Sequence, residues 1–231
     1  MSLNDPLLGA RLGEYEVFGL LGEGGMGVVY KALQPVIKKR VAIKVLKPSA
    51  MGDPSLVNRL VAEAEAVNSI GHRNIIDIFG LGRLPDGRPY IVMEYLDGEP
   101  LDVYLRNTGK VELGDALALI SAICAPLGAA HRAGVIHRDL KPSNVFLCRQ
   151  QDDGARYLKL LDFGLAKRSA SLDGVTEQTS RAVIQGTPDF MAPEQVRGHA
   201  ISPAPTSTRS GCCSTGWSPG SCRSSRPARW K

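Results

Sequence analysis

From Tyr15 to about Leu96 the sequence is dominated by short apolar runs, EYEVFGLL, GVVYKAL, RVAIKVL, IIDIFGLG and PYIVMEYL, divided by Gly, Pro and Asp turns such as LPDGRP. β-Branched and aromatic residues in runs of this length, bounded by such turns, specify strands. One helix interrupts them. Asp53 followed by Pro54 supplies an N-cap and first turn, Leu56, Leu60 and Val67 form an apolar stripe, and Gly71 stops the helix. After Leu101 the pattern turns helical, most clearly from Leu113 to His131. The expected architecture is therefore α+β: a small sheet-rich lobe followed by a helical lobe, joined near Glu94 to Gly98. No internal repeat is visible.

A chain of 231 residues can bury one sizeable core or two small ones. Its net charge of +5 does not describe the folded body. Residues 201–231 hold Arg209, Arg223, Arg226, Arg229 and Lys231 and no acid, and without them 23 basic residues face 23 acidic ones. A neutral body argues against nucleic acid as a partner. Cys124 and Cys148 stand alone, and Cys212, Cys213 and Cys222 lack metal-ligand spacing, which fits a reducing cytoplasm. The N-terminus shows no signal peptide. The longest apolar run, Ala116 to Ala130, contains Pro126 and falls short of the roughly 20 residues of a membrane span, so no membrane segment is expected.

Chemistry enters with LGEGGMGVV, in which Gly22, Gly24 and Gly27 lie between two strands. Glycines at this spacing let backbone amides approach phosphate oxygens closely. A dinucleotide fingerprint would require a helix next, and VVYKAL reads as a strand. Lys44 ends the apolar strand VAIK, and such a cation either pairs with phosphates or is an ordinary strand-end lysine. Glu63 weighs toward the first: it shares the inward stripe of Leu60 and Val67, whereas Glu65 points about 200° further round. An inward acid needs an inward base, and Lys44 is the candidate.

In the second half, HRDLKPSN places His137, Arg138, Asp139, Lys141 and Asn144 on one short loop after a long helix, and DFG (162–164) follows the apolar strand YLKLL. An aspartate to accept a hydroxyl proton, an asparagine and a second aspartate to hold magnesium, and a lysine to neutralise a moving phosphate are what phosphoryl transfer requires.

In this order the motifs resemble those of protein serine/threonine kinases, of the eukaryotic-like kind found in bacteria. The likeness covers residues 15 to about 200 through GEGGMGVVYKA, VAIKVL, HRDLKPSN, DFGLAK and GTPDFMAPEQ. It implies that ATP and Mg2+ are the cofactors and a protein Ser or Thr hydroxyl the acceptor, self-association for autophosphorylation included. By resemblance, Leu21, Gly22, Glu23, Gly24, Gly25, Met26, Gly27, Val28, Val29 and Ala42 line the nucleotide site, with Met93 guarding the pocket behind and Glu94, Tyr95 and Leu96 as the hinge that meets adenine. Lys44 would bind the α- and β-phosphates and pair with Glu63, Asp139 would be the catalytic base, and Asn144 and Asp162 would hold magnesium. Lys141 marks the serine/threonine pattern, and Thr187 would orient Asp139 and Lys141. Phosphorylation between Gly164 and Ala192, at Thr176 or Thr179 ahead of Ser169, Ser171 and Ser180, would draw that segment onto Arg138. Pro126 departs from the pattern, inside the helix leading to the catalytic loop, and is expected to cost about 3 kcal/mol unless a kink accommodates it.

Residues 206–224, TSTRSGCCSTGWSPGSCRS, contain no acid and neither helical nor strand periodicity. Read one base out of register with GC-rich synonymous codons, they back-translate as DLYSLGVLLYGMVTGELPF, which resembles the missing continuation of a kinase. The expected organisation is thus a lead at 1–14, an N-lobe at 15–96, a partial C-lobe at 97–204 and a non-native, disordered tail at 205–231. Three functions follow: an active kinase, a catalytically dead nucleotide-binding module, or a non-folding frameshift product.

Overall fold

Six strands pair into one antiparallel sheet in the computed structural model, which describes residues 5–25, 27–48, 56–149 and 156–163. They are β1 (Arg11–Leu12), β2 (Tyr15–Glu23), β3 (Gly27–Gln34), β4 (Lys39–Leu46), β5 (Ile78–Arg83) and β6 (Pro89–Glu94), in the order β1-β2-β3-β4-β6-β5. The period-two alternation gives this sheet two unlike faces. Val17, Tyr30, Ala32, Val41, Ile43, Val45, Tyr90 and Val92 pack with Leu12 and Leu84 into a buried cluster on one face. The residues between them, Val29, Lys31, Ala42, Lys44, Ile91 and Met93, therefore stand on the other. Register aligns these in two rows, Val29 beside Lys44 beside Ile91, and Lys31 beside Ala42 beside Met93.

Helix α1 (Leu56–Ile70) follows β4 and buries Leu60, Ala64 and Val67 while leaving Glu65 exposed. It stops before Gly71, whose φ of 59° lies in the left-handed region that glycine enters without strain. The expected cap at Asp53 and Pro54 lies outside the described residues. The run expected as a strand from Ile75 becomes one only at Ile78. Ile75 instead forms an isolated parallel bridge with Leu160, because its backbone completes another sheet.

That sheet belongs to a second unit. Contacts divide the described chain into one unit up to Asn68 and over Ile76–Leu96, and another made of Ser69–Ile75 with the residues from Asp97 onward. The second unit contains β7 (Gly98–Pro100), α2 (Leu101–Thr108), α3 (Leu113–Arg132), a 3-10 turn at Pro142–Asn144, β8 (Val145–Arg149) and β9 (Arg156–Leu160), with the strands antiparallel in the order β7-β8-β9. Leu101, Leu119, Leu127, Ala130, Leu140, Leu147, Leu158 and Leu160 are buried in it.

The α3 helix passes through Pro126, which is buried and whose missing N–H leaves the carbonyl of Ala122 without its usual helical bond. The helix that carries the apolar run Ala116 to Ala130 has 20 residues, which by length and composition suffices to cross a membrane, contrary to the expectation from the run alone. Leu113 and Leu117 on it are exposed.

The segment before β1 is tied to the sheet through backbone bonds of Gly9 and Ala10 with Val17 and through the side chain of Asp5. The Tyr30 hydroxyl donates to Asp5 Oδ2 at 2.8 Å, and the Leu7 amide donates to Asp5 Oδ1 at 3.0 Å. Burial first, and the Asp5 carboxylate second, hold the Tyr30 phenol above its ordinary pKa range. Asp5→Ala leaves that hydroxyl buried without its acceptor and is expected to cost about 1–3 kcal/mol, more than Tyr30→Phe, which removes donor and need together. Urea unfolding midpoints of the two variants check the order.

Candidate active site

In the first unit the sequence-predicted residues gather on the sheet face opposite the core. Lys44 sits mid-sheet there, its flanks closed by Val29 and Ile91, and is only 8% exposed. A buried ammonium is tolerated only with compensating polar groups, and Lys44 does not lack an interaction partner. On α1, Glu63 lies between the buried turns of Leu60 and Val67, is half-buried with Oε2 enclosed, and likewise has a partner. The inward reading of Glu63 and the outward reading of Glu65 both match the observed burial.

Above this face β2 and β3 meet in a tight turn closed by the Gly24 amide donating to the Gly27 carbonyl at 2.9 Å. Its glycines differ in kind. A Cβ on Gly27 would collide with the Val45 carbonyl oxygen, so this glycine is demanded by the packing of β3 on β4. A Cβ on Gly22 or Gly25 would meet nothing within 4 Å, so no internal contact requires a glycine there. Open space over bare backbone amides is what an approaching polyphosphate needs. Glu23 leaves the turn to pair with Lys47 at 2.9 Å.

Alternation also separates two neighbours named together from the sequence. Val29 shares the Lys44 face, whereas Val28 packs against the buried core cluster on the other side. Ala42 and Met93 are neighbours in one row of the Lys44 face, and Leu21 is 42% exposed. Glu94, Tyr95 and Leu96 leave β6 partly buried, with the Glu94 amide donating to Asp77 O at 3.0 Å. Sequence reasoning missed that Tyr95 is flanked by two cations, Lys31 Nζ 5.6 Å and Arg40 Cζ 5.2 Å from its ring centroid. Only the strand register brings them together, so no local signal announces it.

In the second unit they gather on the loop between α3 and β8. Asp139, 9% exposed, has its Oδ2 held by Lys141 Nζ at 3.1 Å and by Asn144 Nδ2 at 3.2 Å. The same Nδ2 donates to the Asp139 carbonyl at 2.8 Å, which turns the amide oxygen of Asn144 away from Asp139. The Asn144 carbonyl in turn accepts the Leu161 amide at 2.9 Å, so the residue preceding Asp162 is bonded to the loop that carries Asp139. Asn144 and Asp162, far apart in sequence, are thereby brought to one place.

Below them His137 is almost fully buried, its ring tilted against Phe163 with centroids 4.5 Å apart, and its carbonyl accepts the Asp139 amide at 2.8 Å. Arg138 and Asp162 have φ values of 60° and 48°, a region non-glycine residues enter at a cost. Met26, Gly164, Thr187 and the hydroxyl residues from Ser169 to Ser180 lie outside the described residues.

The donor set suits a hard cation brought by its ligand. Among the described residues no group of three or more His, Cys, Asp or Glu could hold a metal. One carboxylate and one amide oxygen, Asp162 and Asn144, match an ion such as Mg2+ that completes its shell with phosphate and water.

Comparison with known proteins supplies the family. The protein kinase domain matches residues 15–210. Serine/threonine-protein kinase Pkn1 of Myxococcus xanthus is 45% identical over 197 residues, covering 85% of this chain and 27% of the relative. PknA of Mycobacterium tuberculosis is 36% identical over 204 residues, covering 86% and 45%. The chain thus spans less than half the length of these relatives. Among solved structures, the PknI kinase domain of Mycobacterium tuberculosis is similar at a TM-score of 0.70 and 25% identity, over 96% of this chain and 82% of that one. The two residue clusters and these likenesses lead to one statement: the chain belongs to the protein kinase family, with its two-lobed α+β fold.

Proposed function

We propose that this chain transfers the γ-phosphate of ATP to serine and threonine hydroxyls of proteins, a second copy of itself among them. The observation that carries the proposal is the fixed carboxylate of Asp139. Lys141 and Asn144 both bond Oδ2, which locks the carboxylate's rotation and so its aim at an incoming hydroxyl. In the transfer, the substrate hydroxyl gives its proton to Asp139 while its oxygen forms the new bond to phosphorus and the bond from phosphorus to ADP breaks. Lys141 stands beside that carboxylate to neutralise charge on the moving group.

Lys44 holds the α- and β-phosphates from the sheet face, with Glu63 as its carboxylate partner on α1. The turn offers phosphate an open approach at Gly22 and Gly25, and Val29, Ala42, Met93 and Tyr95 take the adenine. Mg2+, when bound by Asn144 and Asp162, neutralises the phosphate oxygens. The reading places the protein in the cytoplasm, supported by the free thiols of Cys124 and Cys148. It takes α3 as a core helix of the domain, supported by the burial of Ala116, Leu119, Leu127 and Ala130 along one side.

Two outcomes are expected. The purified chain, incubated with Mg2+ and γ-labelled ATP, incorporates label into protein, and Asp139→Asn lowers the rate roughly 10²–10⁴-fold without unfolding the chain. A folded wild-type chain that transfers no label would refute the activity. The glycines separate folding from nucleotide binding. Gly27→Ala is expected to lose about 1–3 kcal/mol of stability through its clash with β4. Gly22→Ala should keep its stability within about 1 kcal/mol. Gly22→Ala and Lys44→Met should nevertheless show a smaller thermal stabilisation by Mg·ATP, and shifts equal to wild type would count against the phosphate cradle.

A further inference from the structure

Hairpin tips that face solvent are normally built from polar and turn-forming residues, and the one between β3 and β4 is not. Its loop reads Pro35, Val36, Ile37, Lys38, between the paired ends Gln34 and Lys39. Val36 is 83% exposed and Ile37 67%. Turn geometry does not ask for two β-branched aliphatics in succession, and both stand in water at a cost. Single exposed apolar residues are ordinary, but a neighbouring pair at the point of a hairpin calls for a reason.

The tip is held in shape from beneath. Gln34 Oε1 accepts the Ile37 amide at 2.8 Å, and Gln34 Nε2 donates to Glu14 Oε2 at 3.0 Å. Pro35 adds its fixed φ, and Lys38 closes the loop at a φ of 55°, in the left-handed region. The aliphatic pair is therefore presented to solvent in a fixed shape.

Behind the pair come three consecutive cations, Lys38, Lys39 and Arg40, all exposed. Alternation sends Lys39 and Arg40 to opposite faces of the sheet. Lys39 Nζ lies 3.8 Å from the ring centroid of Phe79, and Arg40 Cζ lies 5.2 Å from that of Tyr95, with Lys31 Nζ at 5.6 Å from the same ring. The acids nearby are fewer. Glu14 is engaged by Gln34, and Glu16 stands in one row with Leu33 and Arg40. This end of the sheet is thus locally positive, with an apolar point between flanking cations.

We propose that the β3–β4 tip docks on an anionic lipid bilayer, with Val36 and Ile37 entering between headgroups and acyl chains while Lys38, Lys39 and Arg40 meet the lipid phosphates. Area and charge select this occupant. A stable protein partner needs about 800 Å² from each side, far more than two side chains at a tip offer. A bilayer needs only a local apolar insertion, to which surface cations add attraction. The contact lies on the membrane rather than across it, and it does not depend on whether the chain transfers phosphate.

The test floats the 231-residue chain with vesicles of an equal mixture of phosphatidylcholine and phosphatidylglycerol, against vesicles of phosphatidylcholine alone. The cations of residues 201–231 are common to every variant, so differences between variants report the tip. Wild type should bind the anionic vesicles at least about tenfold better than the neutral ones and lose most of that binding in roughly 0.5 M NaCl. Lys38→Gln with Lys39→Gln should weaken it about 25-fold, at about fivefold per cation. Lys38→Arg with Lys39→Arg should stay within about twofold of wild type. Val36→Ser with Ile37→Ser keeps every charge and should weaken binding about tenfold. Thermal midpoints equal to wild type show that each variant is folded; should the serine pair not fold, Val36→Thr with Ile37→Thr carries the same comparison. A wild type that does not bind, or binding that neither the glutamine nor the serine pair alters, overturns the proposal. It is also overturned if only the glutamine pair weakens binding and soluble polyglutamate competes for the tip as well as vesicles do, which would assign it an acidic protein segment.

Discussion

Strand β4 imposes the constraint on which the residue cluster of the first unit depends. Its eight residues must bury Val41, Ile43 and Val45 in the core cluster and at the same time hold Ala42 and Lys44 on the other face. Because side chains alternate with a period of two, a slip of one residue would carry Lys44 into the apolar cluster and the valines out of it. The cost of burying an unpaired ammonium there far exceeds what one strand's ladder contributes. Core packing therefore fixes the register, and the register delivers the lysine. The same pairing explains Gly27, whose missing side chain lets β3 lie against Val45 at the point where the turn begins.

In the second unit a single amide plays the corresponding part. Asn144 donates twice to Asp139 and accepts from Leu161, so three segments, the loop, the 3-10 turn and the end of β9, share one residue. Its neighbours on the chain explain why it can. Pro142 starts the 3-10 turn with its φ already set, and Val145 begins β8 directly after it, so Asn144 is held between two rigid elements. A buried asparagine with its polar atoms engaged specifies one arrangement more sharply than an apolar residue could.

Much of this was legible in the sequence, and the legible part has a common cause. The strand runs of the first sheet, α1 with its inward Glu63, and the glycines of the β2–β3 turn all declare themselves through local periodicity or turn chemistry. What stayed hidden depends on non-local pairing. IIDIFGLG reads as one strand, yet its first residue is taken by β9 more than eighty positions later, and nothing within the run marks the division. The cations around Tyr95, the placement of Val28 away from Val29, and the bonds that Asn74 and Lys159 make across more than eighty positions are equally products of non-local pairing. The extent of α3 was legible to within one residue, Leu113 to His131 against Leu113–Arg132, although the apolar run within it, Ala116 to Ala130, is shorter than the helix. The family match ends at residue 210, within the stretch whose alternative reading frame resembles a kinase, and that stretch lies outside the described residues.

The residue clusters of the two units differ in how much surrounding structure they require. The Lys44 face is made of regular sheet, with backbone angles any strand adopts, so its geometry is maintained by the pairing that also makes the fold. The catalytic loop holds Arg138 and Asp162 in left-handed conformations that cost on the order of 1–3 kcal/mol each. That strain persists only while the Asn144 bonds, the His137–Phe163 contact and the packing beneath them outweigh it. Any loss of support in the second unit is therefore felt first as a loop that relaxes and an Asp139 carboxylate that loses its fixed orientation, while the sheet face keeps the register that its own pairing sets. If the proposed kinase reading holds, nucleotide binding without transfer is the state to which this architecture decays, because the strained loop depends on the packing of the second unit and the sheet face does not.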